Sequence, residues 1–222
     1  MESNRNITND IVTEYINRFY EPVSDELGML RLESEAEKVP IILKETESFL
    51  RTFLSITKPK RILEIGCAVG YSAMFFAAVT GAEVVTVEKD HEMAEKAVEN
   101  IKRLGYEESI RIIEADGEEG VNLLYEQGEA PFDVVFIDAA KSHYKRFLEA
   151  SWKLCREGTV VISDNVLFKG RIASDIYDPT GKHKTNIKKM REYVDFITSD
   201  PRLETTIIAC GDGISLSKIK EL

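Results

Sequence analysis

The chain has 222 residues, 43% hydrophobic and 31% charged, with 29 Lys+Arg against 39 Asp+Glu and a formal net charge of −10. That length supports one well-cored domain, read here as 1–222, and is short for two; the apolar content argues against a disordered chain. The sign of the charge excludes a histone-like polycation but leaves room for a local basic patch.

The first stretch, residues 1–10, is polar and has no apolar signal core. Residues 1–58 read as helical and 59–222 as the core. Ile11, Tyr15, Ile16 and Phe19 are spaced for one apolar helical face. Pro22 and Gly28 punctuate the segment, and a second helix is expected over 33–56, ending near Pro59. From Arg61 the pattern alternates between strand and helix. Strands are expected at 61–65, 83–88, 110–113, 132–137 and 159–163, with helices at 71–79, 90–105, 118–125, 141–155 and 186–198. Residues 203–209 and 213–217 read as a strand pair joined by a Gly-Asp-Gly turn. Repeated strand–helix units give a doubly wound α/β sheet with helices on both faces. Residues 66–82 carry no charge but contain three glycines, which suits a buried strand–turn–helix better than a membrane span. Cys67, Cys155 and Cys210 are odd in number and form no CxxC pair, so a zinc site or disulfide framework is not expected and a reducing, cytoplasmic compartment is. The sequon at Asn6, Ile7 and Thr8 is then irrelevant.

In such sheets ligands bind outside the carboxyl ends of the strands. The five expected parallel strands end in the glycine loop Gly66…Gly70, in Glu88, in Asp116 and Gly117, in Asp138, and in Asp164 and Asn165. Glycines allow a backbone to approach a ligand closely. Their G-x-x-x-G spacing departs from the dinucleotide fingerprint, which counts against a nicotinamide-dependent oxidoreductase; the loop also reads as a plain strand-to-helix turn. Glu88 can accept from both hydroxyls of a ribose, or cap a turn beside Asp90. Asp116 can accept from an adenine amino group while Gly117 offers its N–H, or Asp116 can simply cap a helix. Asn100 and its charged neighbours read as a solvated helix face. Asp138, Asp164 and Asn165 present only oxygen, which selects a hard cation such as Mg²⁺; a cap and an Asn turn would explain the last two equally. Lys141, one turn after Asp138, can reach the same site as a general base, or be a surface lysine.

The E-x-G-x-x-x-G run with Glu64, Gly66, Gly70, Tyr71 and Ser72, together with Glu88, Asp116, Asp138, Lys141, Asp164, Asn165 and Val166, resembles the cation-dependent O-methyltransferase family, which includes catechol and caffeoyl-CoA O-methyltransferases. The likeness covers nearly the whole chain. Val39, Pro40, Ile41 and Ile42, the run Asp164 to Gly170, and Gly211, Asp212 and Gly213 are most similar to the bacterial branch described as tRNA 5-hydroxyuridine methyltransferases. The resemblance implies a Rossmann-like seven-stranded sheet with its last strand antiparallel. It implies that Ile42, Ser72, Glu88, Asp116, Gly117 and Asp138 contact S-adenosylmethionine, with Glu64, Gly66 and Gly70 in the donor motif. It also implies that Asp138, Asp164 and Asn165 hold Mg²⁺, that Lys141 is the base, and that the protein is a homodimer. Cys67 and Gly117 stand where the family more often has threonine or alanine, and alanine.

A catechol and a 5-hydroxyuracil both offer two vicinal oxygens, so the metal set does not separate them. Charge does so in part. Residues 181–191 hold Lys182, Lys184, Lys188, Lys189 and Arg191 with no acid, with Lys169 and Arg171 shortly before, whereas 114–133 contain seven acids and no base. This favours tRNA over a small phenol as acceptor, although a solvated amphipathic helix would have the same composition. A non-catalytic RNA- or donor-binding module would need neither metal nor base.

Overall fold

The computed structural model describes residues 10–221; the polar stretch 1–9 and its sequon lie outside them. Helices α1 (Asp10–Asn17), α2 (Asp25–Ala36) and α3 (Lys44–Thr57) precede the sheet. Strands β1 (Arg61–Ile65), β2 (Glu83–Glu88), β3 (Ile110–Glu114), β4 (Val134–Ile137) and β5 (Val160–Ser163) then alternate with α4 (Tyr71–Thr80), α5 (His91–Arg103), α6 (Gly117–Glu126) and α7 (Tyr144–Ser151). Helix α8 (Lys184–Ser199), β6 (Leu203–Ile208) and β7 (Ile214–Ile219) close the chain. The seven strands lie in the order β3-β2-β1-β4-β5-β7-β6. β1 to β5 run parallel, and β7, the last in sequence, is antiparallel to both its neighbours.

Period-two alternation sends successive strand residues to opposite faces. Leu63, Val85, Val135 and Val161 pack with Val121, Leu124, Phe147, Leu148 and Met190 of α6, α7 and α8. Ile62, Val84, Val134 and Ile162 pack on the other face with Leu30, Leu50, Leu54, Phe75 and Ile101 of α2 to α5. The sheet is therefore doubly wound, and strand order reverses between β1 and β4. The crevice at that switch point opens between the Gly66 loop and Asp138.

The N-terminal region departs from expectation. One helix over 33–56 is in fact two, because Pro40 forces the residue before it out of the helical region and Lys38 turns at φ +59°. Gly28, read as punctuation, lies inside α2, where a Cβ would meet the Pro22 ring at 3.0 Å. Of the apolar stripe expected on the first helix, Ile11 (75%) and Tyr15 (57%) are exposed within α1, and Phe19, past its end, is 70% exposed.

The segment between α2 and α3 is held by a buried polar knot. Arg31 pairs with Glu47, donates from Nη2 to the Ile42 carbonyl at 2.9 Å, and donates from Nε to Tyr20 Oη at 2.9 Å. Tyr71 donates its hydroxyl to Glu47 Oε2 at 2.8 Å. Both charged side chains are almost completely buried, so removing one strands the other. Glu47→Leu is expected to cost about 3–5 kcal/mol in urea unfolding, and adding Arg31→Met to recover most of that loss.

Candidate active site

The first functional element is the loop after β1. Gly66 adopts φ +93°, and a Cβ there would lie 2.3 Å from the Asp138 carbonyl oxygen, so the tips of β1 and β4 can close on each other only at glycine. Gly70 caps α4 at φ +81°, with Ala97 of α5 3.2 Å from where its Cβ would be. Two side chains fasten the loop. Glu88 Oε2 accepts from the N–H groups of Cys67 at 3.1 Å and Ala68 at 2.9 Å. Asn100 donates from Nδ2 to the Val69 carbonyl at 3.1 Å. The reading of Asn100 as solvated is corrected: it is half-buried and turned toward the loop. Its signal was an amide near the C-terminal end of a helix whose other polar positions are mostly charged.

A cavity of about 570 Å³ opens above this loop, within the size range of small-molecule sites. Ile42, Gly66, Ser72, Glu88, Asp116, Gly117, Asp138, Lys141 and Asn165 line it as expected. Cys67, noted in the sequence as a departure from the family pattern, lines it too, as do Met93, His143 and Phe147, which were not singled out there. Glu88 already uses four acceptor directions, because its Oε1 takes the N–H groups of Lys89 and Asp90, each at 2.9 Å. A ribose diol would have to share those lone pairs. Asp116 caps α6 through the Glu118 N–H at 3.1 Å and is gripped by Arg146 at 2.8 Å, so cap and cavity wall coexist in one carboxylate. Gly117 is explained by packing. A Cβ would meet Ile65 at 2.6 Å and Phe147 at 2.7 Å, so the phenylalanine ring fills the space an alanine would need.

Three candidate residues do not line the cavity. Gly70 faces α5. Glu64 lies on the same strand face as Ile62, beneath α4, where it is fully buried and accepts from Thr86 Oγ1 at 2.6 Å. Asp164 is also buried, behind Asn165. The spacing identified a strand tip correctly, but the pleat decides which face each side chain takes.

Burial pushes the Glu64 carboxyl up to about 8, against 4.5 for an ordinary glutamate. A raised folded-state value means the folded chain holds a proton that the unfolded chain has released. This contribution to stability is therefore complete below about pH 4.5 and is lost as pH rises through about 8. Between these limits, Glu64→Gln is expected to flatten the decline of stability with pH seen in chemical denaturation.

At the far end of the cavity, Lys141 Nζ donates to Asn165 Oδ1 at 2.9 Å and lies 5.8 Å from the centre of the Phe168 ring. Asp164 Oδ1 accepts the Asn165 N–H at 2.7 Å, and Tyr144 donates its hydroxyl to the Asp164 carbonyl at 2.9 Å. Asp164 Oδ2 is buried with no partner among the described residues. Burial lifts both Asp138 and Asp164 above the usual carboxylate range, Asp138 raises Asp164 further, and Lys141 opposes both shifts. No group of three or more His, Cys, Asp or Glu converges on one point among the described residues; the trio here is two acids and an amide.

A crevice at the switch point of a doubly wound sheet, with a glycine loop at one strand tip and carboxylates at the next two, is where an α/β protein of this topology binds its ligand. The O-methyltransferase family profile matches residues 24–220. A caffeoyl-CoA O-methyltransferase from Populus kitakamiensis is 30% identical over 174 residues, 77% of this chain and 74% of that one. A catechol O-methyltransferase from Niastella koreensis is 27% identical, over 78% of this chain and 79% of its own length. The crystal structure of an O-methyltransferase from Bacillus cereus in complex with SAH superposes with a TM-score of 0.82 at 26% identity, covering 95% of this chain and 97% of that one. The chain belongs to the O-methyltransferase family, and it is an S-adenosylmethionine-dependent O-methyltransferase. Among the described residues no helix is long and apolar enough to cross a membrane, and all three cysteines are free thiols.

Proposed function

We propose that the protein transfers the methyl group of S-adenosylmethionine to a hydroxyl oxygen with the help of a divalent cation, and that the acceptor is 5-hydroxyuridine in tRNA, giving 5-methoxyuridine. The observation that carries the chemistry is that Asp138, Lys141 and Asn165 line a cavity whose other walls carry Glu88 and Asp116, with Asp164 buried next to Asn165. The residues fit a hard dication. Every donor is oxygen, Asp164 Oδ2 has no partner among the described residues, and the two desolvated carboxylates are opposed by Lys141. Asp138, Asp164 and Asn165 would hold Mg²⁺, which when bound supplies Lewis-acid stabilisation of charge on an acceptor oxygen.

The chain's own residues do the rest. Asp116 and the Gly117 N–H address the adenine edge, and Glu88 addresses the ribose. Ile42 and Met93 supply apolar wall and exclude water. Lys141 takes the proton from the acceptor hydroxyl at Nζ, held in place by Asn165. The methyl then passes in line from sulfur to oxygen, a step in which alignment supplies most of the acceleration.

The tRNA assignment is supported by the resemblance of the run Asp164 to Gly170 and by the basic segment beside it. Within that segment Lys188 and Lys189 lie against Glu192 at 3.9 and 2.9 Å, and Arg191 pairs with Asp175 at 2.9 Å. The phosphate-binding charge therefore rests on exposed Lys169, Lys182 and Lys184, with the half-exposed Tyr177 as a stacking face. A small vicinal phenol is the second reading, favoured by the caffeoyl-CoA and catechol relatives. Nucleoside mass spectrometry of tRNA incubated with protein, Mg²⁺ and labelled donor, beside a catechol control, separates them. Labelled 5-methoxyuridine is expected; strong catechol turnover without it reverses the assignment. We read the exposed rings of Tyr15 and Phe19 as the contact with a second copy of the chain, which light scattering tests through the mass in solution.

A further inference from the structure

The Gly-Asp-Gly turn between β6 and β7 has so far no part in the chemistry. Its aspartate, Asp212, is buried at 6% exposure yet is not among the residues lining the cavity. It packs beneath the segment that follows β5. That segment is strained: of the six non-glycine residues with positive φ among those described, three fall here, Asn165 at +57°, Phe168 at +45° and Lys169 at +56°. Left-handed backbone at non-glycine positions persists only where the surroundings impose it.

The turn imposes it through three hydrogen bonds. The Gly213 carbonyl accepts the Val166 N–H at 2.9 Å and the Asp212 carbonyl accepts the Leu167 N–H at 3.1 Å. The third bond is the only one made by a side chain, from the Lys169 N–H to Asp212 Oδ1. Gly213 presses so closely that a Cβ would lie 2.4 Å from Leu167 Cγ. The segment held this way presents Asn165 to Lys141 at 2.9 Å and sets the Phe168 ring beside the same ammonium.

We propose that Asp212 is a positioning residue: its carboxylate pins the Lys169 N–H, holds the left-handed turn of residues 165–169 in place, and so aims Asn165 at the cation site and at Lys141. The inference rests on the cation reading above. Its test is Mn²⁺ binding to the full-length protein, followed by electron paramagnetic resonance, with S-adenosylmethionine affinity measured by calorimetry in parallel.

Asp212→Ala is expected to weaken Mn²⁺ binding about 10–100-fold, the scale on which groups that orient metal ligands act, while donor affinity, carried by the opposite end of the cavity, stays unchanged. Asp212→Asn keeps an oxygen that can accept the Lys169 N–H and is expected to recover most of the loss. Unchanged Mn²⁺ affinity in Asp212→Ala, with Asp164→Ala abolishing binding, overturns the positioning role and leaves the cation reading standing. Equal weakening by Ala and Asn also overturns it, because charge and not the hydrogen bond would then be responsible. A parent protein that binds donor but no Mn²⁺ removes the cation reading and this proposal together.

Discussion

Lys141→Met is expected to lower kcat by about 10²–10⁴-fold, the usual worth of a positioned proton acceptor, while leaving the donor's dissociation constant unchanged. Methionine keeps the unbranched stem and its packing but has no group that takes a proton at neutral pH. In the proposed arrangement the donor lies elsewhere: the glycine loop is fastened by Glu88 and Asp116 stands at the tip of β3, so losing one ammonium near Asn165 leaves that half of the cavity intact. Residual turnover comes from alignment of donor and acceptor. Lys141→Arg sharpens the test. A guanidinium restores the positive charge beside Asp138 and Asp164 and can donate to Asn165 Oδ1, but it does not deprotonate in proteins. If Lys141 serves only to balance charge, arginine rescues; if it accepts the proton, arginine is as slow as methionine.

The strand tips were legible because each strand announces itself as a short apolar run, and because the residue after such a run in a parallel sheet must fall on one edge. Gly66, Glu88, Asp116, Asp138 and Asn165 were placed by that rule alone. Direction within a tip was not legible. Glu64 and Asp164 belong to the right motifs but are buried, Glu64 beneath α4 and Asp164 behind Asn165, since one residue of register exchanges the faces of a strand. Long-range polar ties were equally silent. Nothing local in the sequence says that Asn100 reaches back to Val69, that Arg146 grips Asp116, or that Arg31 and Glu47 share one buried knot. Those pairings exist only once the helices are laid on the sheet. The break between α2 and α3 could have been read from Pro40, but helical periodicity on either side of it masked the stop.

Asp164→Asn is expected to have opposite effects on stability and on activity, and this opposition distinguishes a cation site from a structural cap. Without metal, Asp164 is a buried acid and Asp138 a desolvated one at the cavity wall, each held above the usual carboxylate range, with Lys141 as the opposing charge. Raised folded-state values mean that the metal-free chain loses stability as pH climbs from about 4 upward, the ordinary range in which an unfolded aspartate ionises. The amide removes one of the two charges while keeping an oxygen for the Asn165 N–H that Asp164 Oδ1 accepts at 2.7 Å. At neutral pH the metal-free variant should therefore melt above the metal-free parent. Added Mg²⁺ reverses the order: it stabilises the parent by RT ln(1 + [Mg²⁺]/Kd) and leaves the variant unmoved. Methyl transfer falls in the variant by about 10²–10³-fold, the scale of one lost electrostatic stabiliser, and chelation with EDTA brings the parent down to the same residual rate. A cap alone predicts the contrary pattern. The variant would be destabilised or neutral with and without Mg²⁺, and EDTA would leave the parent's turnover untouched.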